Sequence, residues 1–450
     1  MNLRKAASPL LREEIHSATL SCGLEVRVIP KRGFARKIAV LSARYGSVDL
    51  SFSSGEGGRQ DTPPGVAHFL EHQLFKKEGG QDALMEFGRY GASSNAFTDY
   101  GATAYYFTAN GEFEKNLGLL AGFVTSPYFS DENVAKERLI IEQELRMYED
   151  SPDYRIFKDL MAILYTVHPV RIDIGGTVES IQRIDAAVLE RCYRTFYNPS
   201  NMALLAAGDL DPEAVVRQAE SLLPPDRFRP LGPIGRHVPE EPPGVGERVV
   251  RREMAISRPR VLLGFKDLRL NRAKALEREL ETAIVLDLLF GRSSDFHTRV
   301  YEKGLIDDTF AASYNCDDPF GFSLIGGETD EPENLAEAVL LELHEARRRG
   351  LKKRDVERSR RKRLGQFIRS FDSPDGTAFL VLSCLQRGID PFSVAKVISK
   401  VTAASLERRL AEHFDERNYA VSILSPKAPS KPEAEGPKPE AGSVEPGPGS

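Results

Sequence analysis

At 450 residues, with 41% hydrophobic, 28% charged and 8% aromatic residues and no Trp, the chain has the composition of a folded protein with more than one hydrophobic core. Its 61 basic and 66 acidic side chains leave a formal net charge of -5, which excludes a global positive field of the kind that attracts nucleic acid or an anionic membrane. Neither is expected as a partner.

The N-terminal segment MNLRKAASPLLREEIHSATL interrupts its apolar residues at Arg12, Glu13 and Glu14 before any signal-length stretch develops. No later run reaches the ~18 apolar residues of a spanning helix. Cys22, Cys192, Cys316 and Cys384 are scattered without CxxC spacing, so they read as reduced thiols and the expected location is cytoplasmic. Strand-like runs occur at 24–30 (LEVRVIP), 38–45 (IAVLSARY), 103–108 (TAYYFT) and 260–265 (RVLLGF), between helical stretches.

Residues 184–205 align without gaps on 401–422, with Leu189/Leu406, Glu190/Glu407, Arg191/Arg408 and Asn201/Asn418 among the identical pairs. In each copy a helix-like stretch leads through a turn into a β-type run, MALLAA or YAVSIL, as a duplicated α+β unit would. Between the copies, 224–247 is rich in Pro and Gly and reads as a linker. The expected organisation is α+β: one domain over 1–223, a linker over 224–247, a homologous domain over 248–425, and a disordered Pro/Gly/Lys/Glu tail over 426–450.

The sharpest local signal is His68-Phe69-Leu70-Glu71-His72. Pro63, Pro64 and Gly65 mark a helix start, and at ~100° per residue His68 and His72 stand only ~40° apart, with Glu71 beside them. Val66, Ala67, Phe69, Leu70, Leu74 and Phe75 make that helix apolar nearly all round, so it should be buried. Two buried imidazoles and a carboxylate need a partner. They could bond among themselves; a zinc ion satisfies them better, with two neutral imidazoles one turn apart as ligands and the carboxylate as a base toward water. HxxEH is the inverted zinc-peptidase signature.

A hydrolytic zinc needs a further ligand. On the helical stretch 131–150, Val134, Ile141, Leu145 and Tyr148 form an apolar stripe, and Glu137 and Glu144 share one border of it. Glu142 and Glu149 have the same spacing on the opposite border, so periodicity leaves Glu142 and Glu144 tied.

HFLEHQLFKK, followed by GASSNAFTDYGATAYYF and ERLIIEQELRMYEDSPD, resembles the pitrilysin/insulinase family of zinc metallopeptidases. HPVRIDIGGTVESI (168–181), FYNPSNMALLAAGDL (196–210) and SSDFHTRVYEKGLIDDTF (293–310) extend the likeness into the second half, most like bacterial two-domain members related to mitochondrial processing peptidase. The resemblance implies two homologous α/β-sandwich domains, each a mixed or antiparallel sheet flanked by helices. It implies one Zn2+ per chain on His68, His72 and Glu144, Glu71 as general base, and Glu137 as the supporting acidic residue. Asn95 and Ala96 fall on the family's edge strand, to which an extended peptide substrate adds.

Self-sufficient members carry in the second half an Arg and a Tyr, seven apart, that stabilise the oxyanion. Here the matching positions are Tyr301 and Asp307, with Arg299 shifted by two and read as structural. Oxyanion stabilisation is commonly worth about 3–4 kcal/mol, so the expectation is an endopeptidase acting inside a clamshell chamber, completed by a homologous companion subunit that carries the pair or by a homodimer. The competing reading is a non-catalytic assembly subunit. His16, His168, His237, His297, His344 and His413 read as structural, and the basic run 346–366 as a solvated helix face or a wall against a companion.

Overall fold

Residues 37–43 and 202–208, KIAVLSA and MALLAAG, are built mainly from aliphatic side chains and lie almost entirely out of solvent, as strands covered on both faces must. The structure, a computed structural model, describes residues 3–55, 58–80, 82–267, 274–317 and 319–427.

In the first half the strands are β1 (Arg4–Ser8), β2 (Glu13–Thr19), β3 (Glu25–Pro30), β4 (Lys37–Ala43), β5 (Ser51–Ser54), β6 (Gln60–Asp61), β7 (Ala92–Thr98), β8 (Thr103–Ala109) and β9 (Met202–Gly208). Its helices are α1 (Val66–Leu74), α2 (Ala83–Arg89), α3 (Phe113–Val124), α4 (Asp131–Glu149), α5 (Pro152–Leu164), α6 (Val178–Ile181), α7 (Ala186–Phe196) and α8 (Pro212–Leu222). After β10 (Ile234–Arg236) the second half holds β11 (Val249–Met254), β12 (Arg260–Asp267), β13 (Ala311–Cys316), β14 (Gly321–Glu328) and β15 (Tyr419–Pro426). Its helices are α9 (Ala275–Phe290), α10 (Asp295–Glu302), α11 (Pro332–Arg349), α12 (Lys353–Arg369), α13 (Pro374–Gln386), α14 (Val394–Lys400) and α15 (Ala403–His413).

The first sheet runs β1-β2-β3-β9-β4-β8-β7 and the second β11-β15-β12-β14-β13. Only β3/β9 and β11/β15 are parallel pairs among the described strands. The shared part repeats strand for strand, β3-β9-β4-β8-β7 against β11-β15-β12-β14-β13. Register repeats too: Ala43 lies opposite Met202, as Phe265 lies opposite Tyr419. The identical pair Asn201/Asn418 has one structural task, its carbonyl accepting the N–H of Arg44 in one half and of Lys266 in the other. The chain is thus two related α+β domains.

Each half completes the other. Helix α5 lies on the second sheet, packing Leu160, Met161 and Leu164 against Phe320, Phe322 and Ala420. Helix α13 lies on the first sheet, packing Ala378, Val381 and Leu382 against Ile29, Ile38, Val40 and Leu205. A sheet apolar on both faces needs two covers, and here the second cover comes from the other domain.

The connecting segment 224–247 is pinned rather than slack. Ile234–Arg236 pairs with β5, and Arg236 bonds Asp49 at 2.7 Å. Glu241 accepts the backbone N–H groups of Thr166, Val167 and His168 and pairs with the wholly buried Lys266 at 2.8 Å. Of the tail expected over 426–450, Pro426 closes β15 and Lys427 donates its N–H to Met254; the remainder lies outside the described residues. His413, read as structural, is buried with Nε2 2.7 Å from the Ser323 hydroxyl. Among the described residues no helix is long and apolar enough to cross a membrane, and the four cysteines are free.

Candidate metal centre

Helix α1 starts where Gly65 adopts φ +92°, a conformation that penalises any side chain, and a Cβ there would stand 2.4 Å from the carbonyl oxygen of Gly175. The 173–176 turn therefore rests directly on the helix start. Val66, Ala67, Phe69, Leu70, Gln73 and Leu74 are buried, leaving His68 and His72 half-buried on the remaining face with Glu71, 9% exposed, between them. Helix α4 crosses α1 with Val134, Glu137, Ile141 and Leu145 inward, capped by the Ser130 hydroxyl accepting from the Asn133 N–H.

That crossing brings three side chains together. His68 Nε2 lies 3.9 Å from Glu144 Oε1 and His72 Nε2 lies 3.4 Å from Glu144 Oε2, and one ligand atom from each of the three residues lies within 4.8 Å of the others. Ligands ~2.0–2.1 Å from a tetrahedral zinc stand ~3.3 Å from one another, so these separations fit one ion with little movement. Internal hydrogen bonds alone do not satisfy the set: His68 Nδ1 is buried and makes no hydrogen bond among the described residues. Burial, with a smaller push from His72, lowers the His68 pKa to about 3, so its imidazole is neutral and free to ligate.

The surrounding groups are arranged around those three side chains. Glu137, 3% exposed, accepts the Nδ1 proton of His72 at 2.9 Å, which turns the Nε2 lone pair toward Glu144. Burial alone would lower the pKa of His72, but the Glu137 hydrogen bond and the charges of Glu137, Glu144 and Glu71 raise it. Lys76 stands 3.8 Å from Glu137. Burial raises the pKa of Glu71, opposed in part by a 2.5 Å hydrogen bond from Thr98 and by His72. Three carboxylates face one lysine and the imidazoles, an excess of negative charge suited to a divalent cation.

The tie between Glu142 and Glu144 is broken by tertiary contacts. Glu142 bonds Arg146 at 2.7 Å and Gln182 at 3.3 Å, away from the imidazoles, and Glu149 faces Arg155 and Lys158. Tyr148, expected inside the apolar stripe, is instead 40% exposed and borders the site, because α4 turns that border toward an open cavity. The cavity is about 580 Å³; besides His68, Glu71, His72 and Glu144 it is bounded by Asn95 and Ala96 of β7, by Tyr154 and Phe157 of α5, and by Asp173 and Gly175. Strand β7 pairs only with β8 among the described strands, so its other edge is free where Asn95 and Ala96 lie; the Asn95 side chain itself accepts the Ala96 N–H.

Sequence reasoning missed Thr98, Lys76 and Gly175. Thr98 closes β7 within the GASSNAFTDYGATAYYF segment, but nothing local says that its hydroxyl reaches Glu71. Arg299 pairs with Glu342 at 2.9 Å, Asp307 bonds Arg258 and the Thr309 hydroxyl, and Tyr301 is half exposed and stacked on His297. None of the three lines the cavity.

Comparison with known proteins places the chain in a family. The family model described as "Insulinase (Peptidase family M16)" matches residues 42–178, and that described as "Peptidase M16 inactive domain" matches 183–363. The Bacillus subtilis protein named as the uncharacterized zinc protease YmfH is 37% identical over 425 residues, covering 93% of this chain and 98% of its own length. A probable mitochondrial-processing peptidase subunit beta from Arabidopsis thaliana is 28% identical over 186 residues, 40% of this chain and 35% of that one. Among solved structures, an M16-like peptidase from Alicyclobacillus acidocaldarius superposes with a TM-score of 0.89 at 35% identity, covering 94% of this chain and all of that one. A two-domain fold with an inverted HxxEH helix defines a zinc-protease-like protein. The chain belongs to the insulinase family, peptidase family M16.

Proposed function

We propose that the protein is a zinc-dependent endopeptidase acting on peptides or unfolded segments, in which His68, His72 and Glu144 hold the ion. The observation that carries this reading is the convergence of those three side chains on one point beside Glu71, in a cavity bordered by a free strand edge. Zinc bound there supplies Lewis acidity, polarising a carbonyl and making water acidic enough to attack at neutral pH. The edge of β7 at Asn95 and Ala96 aligns an extended backbone by main-chain hydrogen bonds, which reads little side-chain identity. Glu71 accepts the proton of the attacking water at the carboxylate that Thr98 orients, and returns it to the leaving amine nitrogen. Burial keeps that carboxylate more basic than an exposed one, as a proton shuttle needs. Glu137 holds His72 in one tautomer.

Tyr301 and Asp307 are engaged elsewhere, which supports completion of the site by a homologous companion subunit bearing an Arg/Tyr pair, or by a second copy of the chain. The unpaired cysteines suit a reducing compartment such as the cytoplasm. The test is to measure zinc content and hydrolysis of an unstructured peptide for the wild type and Glu71→Gln, each alone and with the homologue encoded beside it. Retained zinc with hydrolysis lost in Glu71→Gln is the expected result. Full activity in that variant overturns the assignment of Glu71, and an isolated monomer as fast as the pair overturns the companion.

A further inference from the structure

The duplicated fold has a second place built like the metal centre and furnished differently. Where His72 of α1 meets Glu137 of α4, Asp287 of α9 meets Ser359 of α12 at 2.7 Å. Four residues before Asp287 stands Ala283 rather than a histidine, and seven after Ser359 stands Gln366 rather than a glutamate, so no metal set survives. A cavity of about 420 Å³ remains, and β13 borders it as β7 borders the first, pairing with only one neighbour among the described strands.

The lining of that cavity has changed sign. Asp287 is its one acidic group, and it is already paired with Lys362 and bonded by Ser359. Arg363 also lines it, half-buried, and has no ion pair or hydrogen bond among the described residues; Arg292 at the rim pairs with Asp308 at 3.3 Å. Most of the neighbouring arginines on α12 are spent locally, Arg360 and Arg361 on Glu357 and Arg358 on Asp355. A guanidinium held in a cavity without a partner loses hydration and gains nothing unless an anion arrives. From the β13 side the cavity is lined by the small side chains of Ala311, Ala312 and Ser313, with Tyr314 beyond them.

We propose that the α9/α12 cavity and the free edge of β13 form a second peptide site, which takes an extended acidic segment with a carboxylate on Arg363. Charge complementarity selects the occupant: the edge offers backbone hydrogen bonds to any extended chain, and the unpaired guanidinium adds a preference for Asp or Glu. The site is independent of zinc chemistry, so loss of the peptidase reading leaves it standing.

Binding is measured by fluorescence anisotropy on the full chain carrying Glu71→Gln, with chelator present so that nothing is cleaved. The probes are a labelled unstructured peptide rich in Glu, its Gln-for-Glu counterpart and its Lys-for-Glu counterpart. Arg363→Gln is expected to weaken the Glu peptide about tenfold, the scale of one charge-assisted hydrogen bond, and to leave the Gln peptide unchanged, while Arg363→Lys keeps most of the preference. Arg363→Glu should favour the Lys peptide over the Glu peptide. Equal affinity of the parent for Glu and Gln peptides, or an unchanged preference in Arg363→Glu, overturns the proposal.

Discussion

Replacing Glu137 by Gln removes a charge from behind a ligand while keeping its shape. In the folded chain the carboxylate is 3% exposed, accepts the His72 Nδ1 proton at 2.9 Å and has Lys76 at 3.8 Å, so it is screened little by solvent. Groups in this position behind a metal-bound histidine are worth about 10–100-fold in metal affinity, or about 1.4–2.7 kcal/mol. The sign of the pH dependence follows from His72. Burial lowers its pKa, but Glu137, Glu144 and Glu71 outweigh it and hold the net value above the ordinary one, so in the metal-free protein a proton on His72 competes with zinc as pH falls through that raised value. Without the Glu137 charge the competition shifts to lower pH. The variant should therefore bind zinc more weakly on the alkaline side, with the two affinities drawing together in acid. The same raised pKa means that the pair stabilises the metal-free fold fully below the unfolded His value, about pH 6.5, and that this stabilisation disappears as pH rises through the folded value. Zinc competition against a chromophoric chelator across about pH 5.5–8 measures the first effect, and chemical unfolding of the metal-free protein over the same range the second. Affinities that coincide at every pH would refute the argument.

Three further outcomes follow from the same geometry. Glu144→Ala should abolish stoichiometric zinc by atomic absorption while Glu142→Ala, which only loses contacts to Arg146 and Gln182, keeps it; the reverse result overturns the ligand set. Gly175→Ala places a Cβ 2.8 Å from Leu145 Cδ2 and 3.5 Å from His68 Nδ1, so it should cost about 1–3 kcal/mol of stability and weaken zinc binding, read by thermal unfolding with and without metal. Lys266→Met strips the buried partner from Glu241 and unpins the 224–247 segment, at a cost of about 3–5 kcal/mol, with unfolding midpoints in urea as the measure; a shift below about 0.5 kcal/mol would mean that the segment is not a strap.

How much was legible depended on distance along the chain. HFLEH is legible because an α-helix brings residues four apart onto one face, so two imidazoles and a carboxylate share a direction before any tertiary contact forms. The strands at 24–30, 38–45, 103–108 and 260–265 are legible from their apolar runs and recur as β3, β4, β8 and β12 within a residue or two. The N-terminal hairpin β1/β2 is not, since its residues are largely polar and it holds its place as an edge extension paired with β3. The short strand Ile234–Arg236 was hidden among prolines and glycines, and only its pairing with β5 makes it a strand.

The sequence by itself determined the duplicated α+β architecture, the inverted helix motif and the pair of glutamates seven apart, because each is written in local periodicity or in resemblance between segments. Tertiary structure decided which border of α4 faces the imidazoles, that Thr98 orients Glu71, and that α5 and α13 each cover the other domain's sheet. Those outcomes depend on helix crossing and on contacts between residues far apart in the chain, and helical phase alone leaves Glu142 and Glu144 equivalent until α1 and α4 pack.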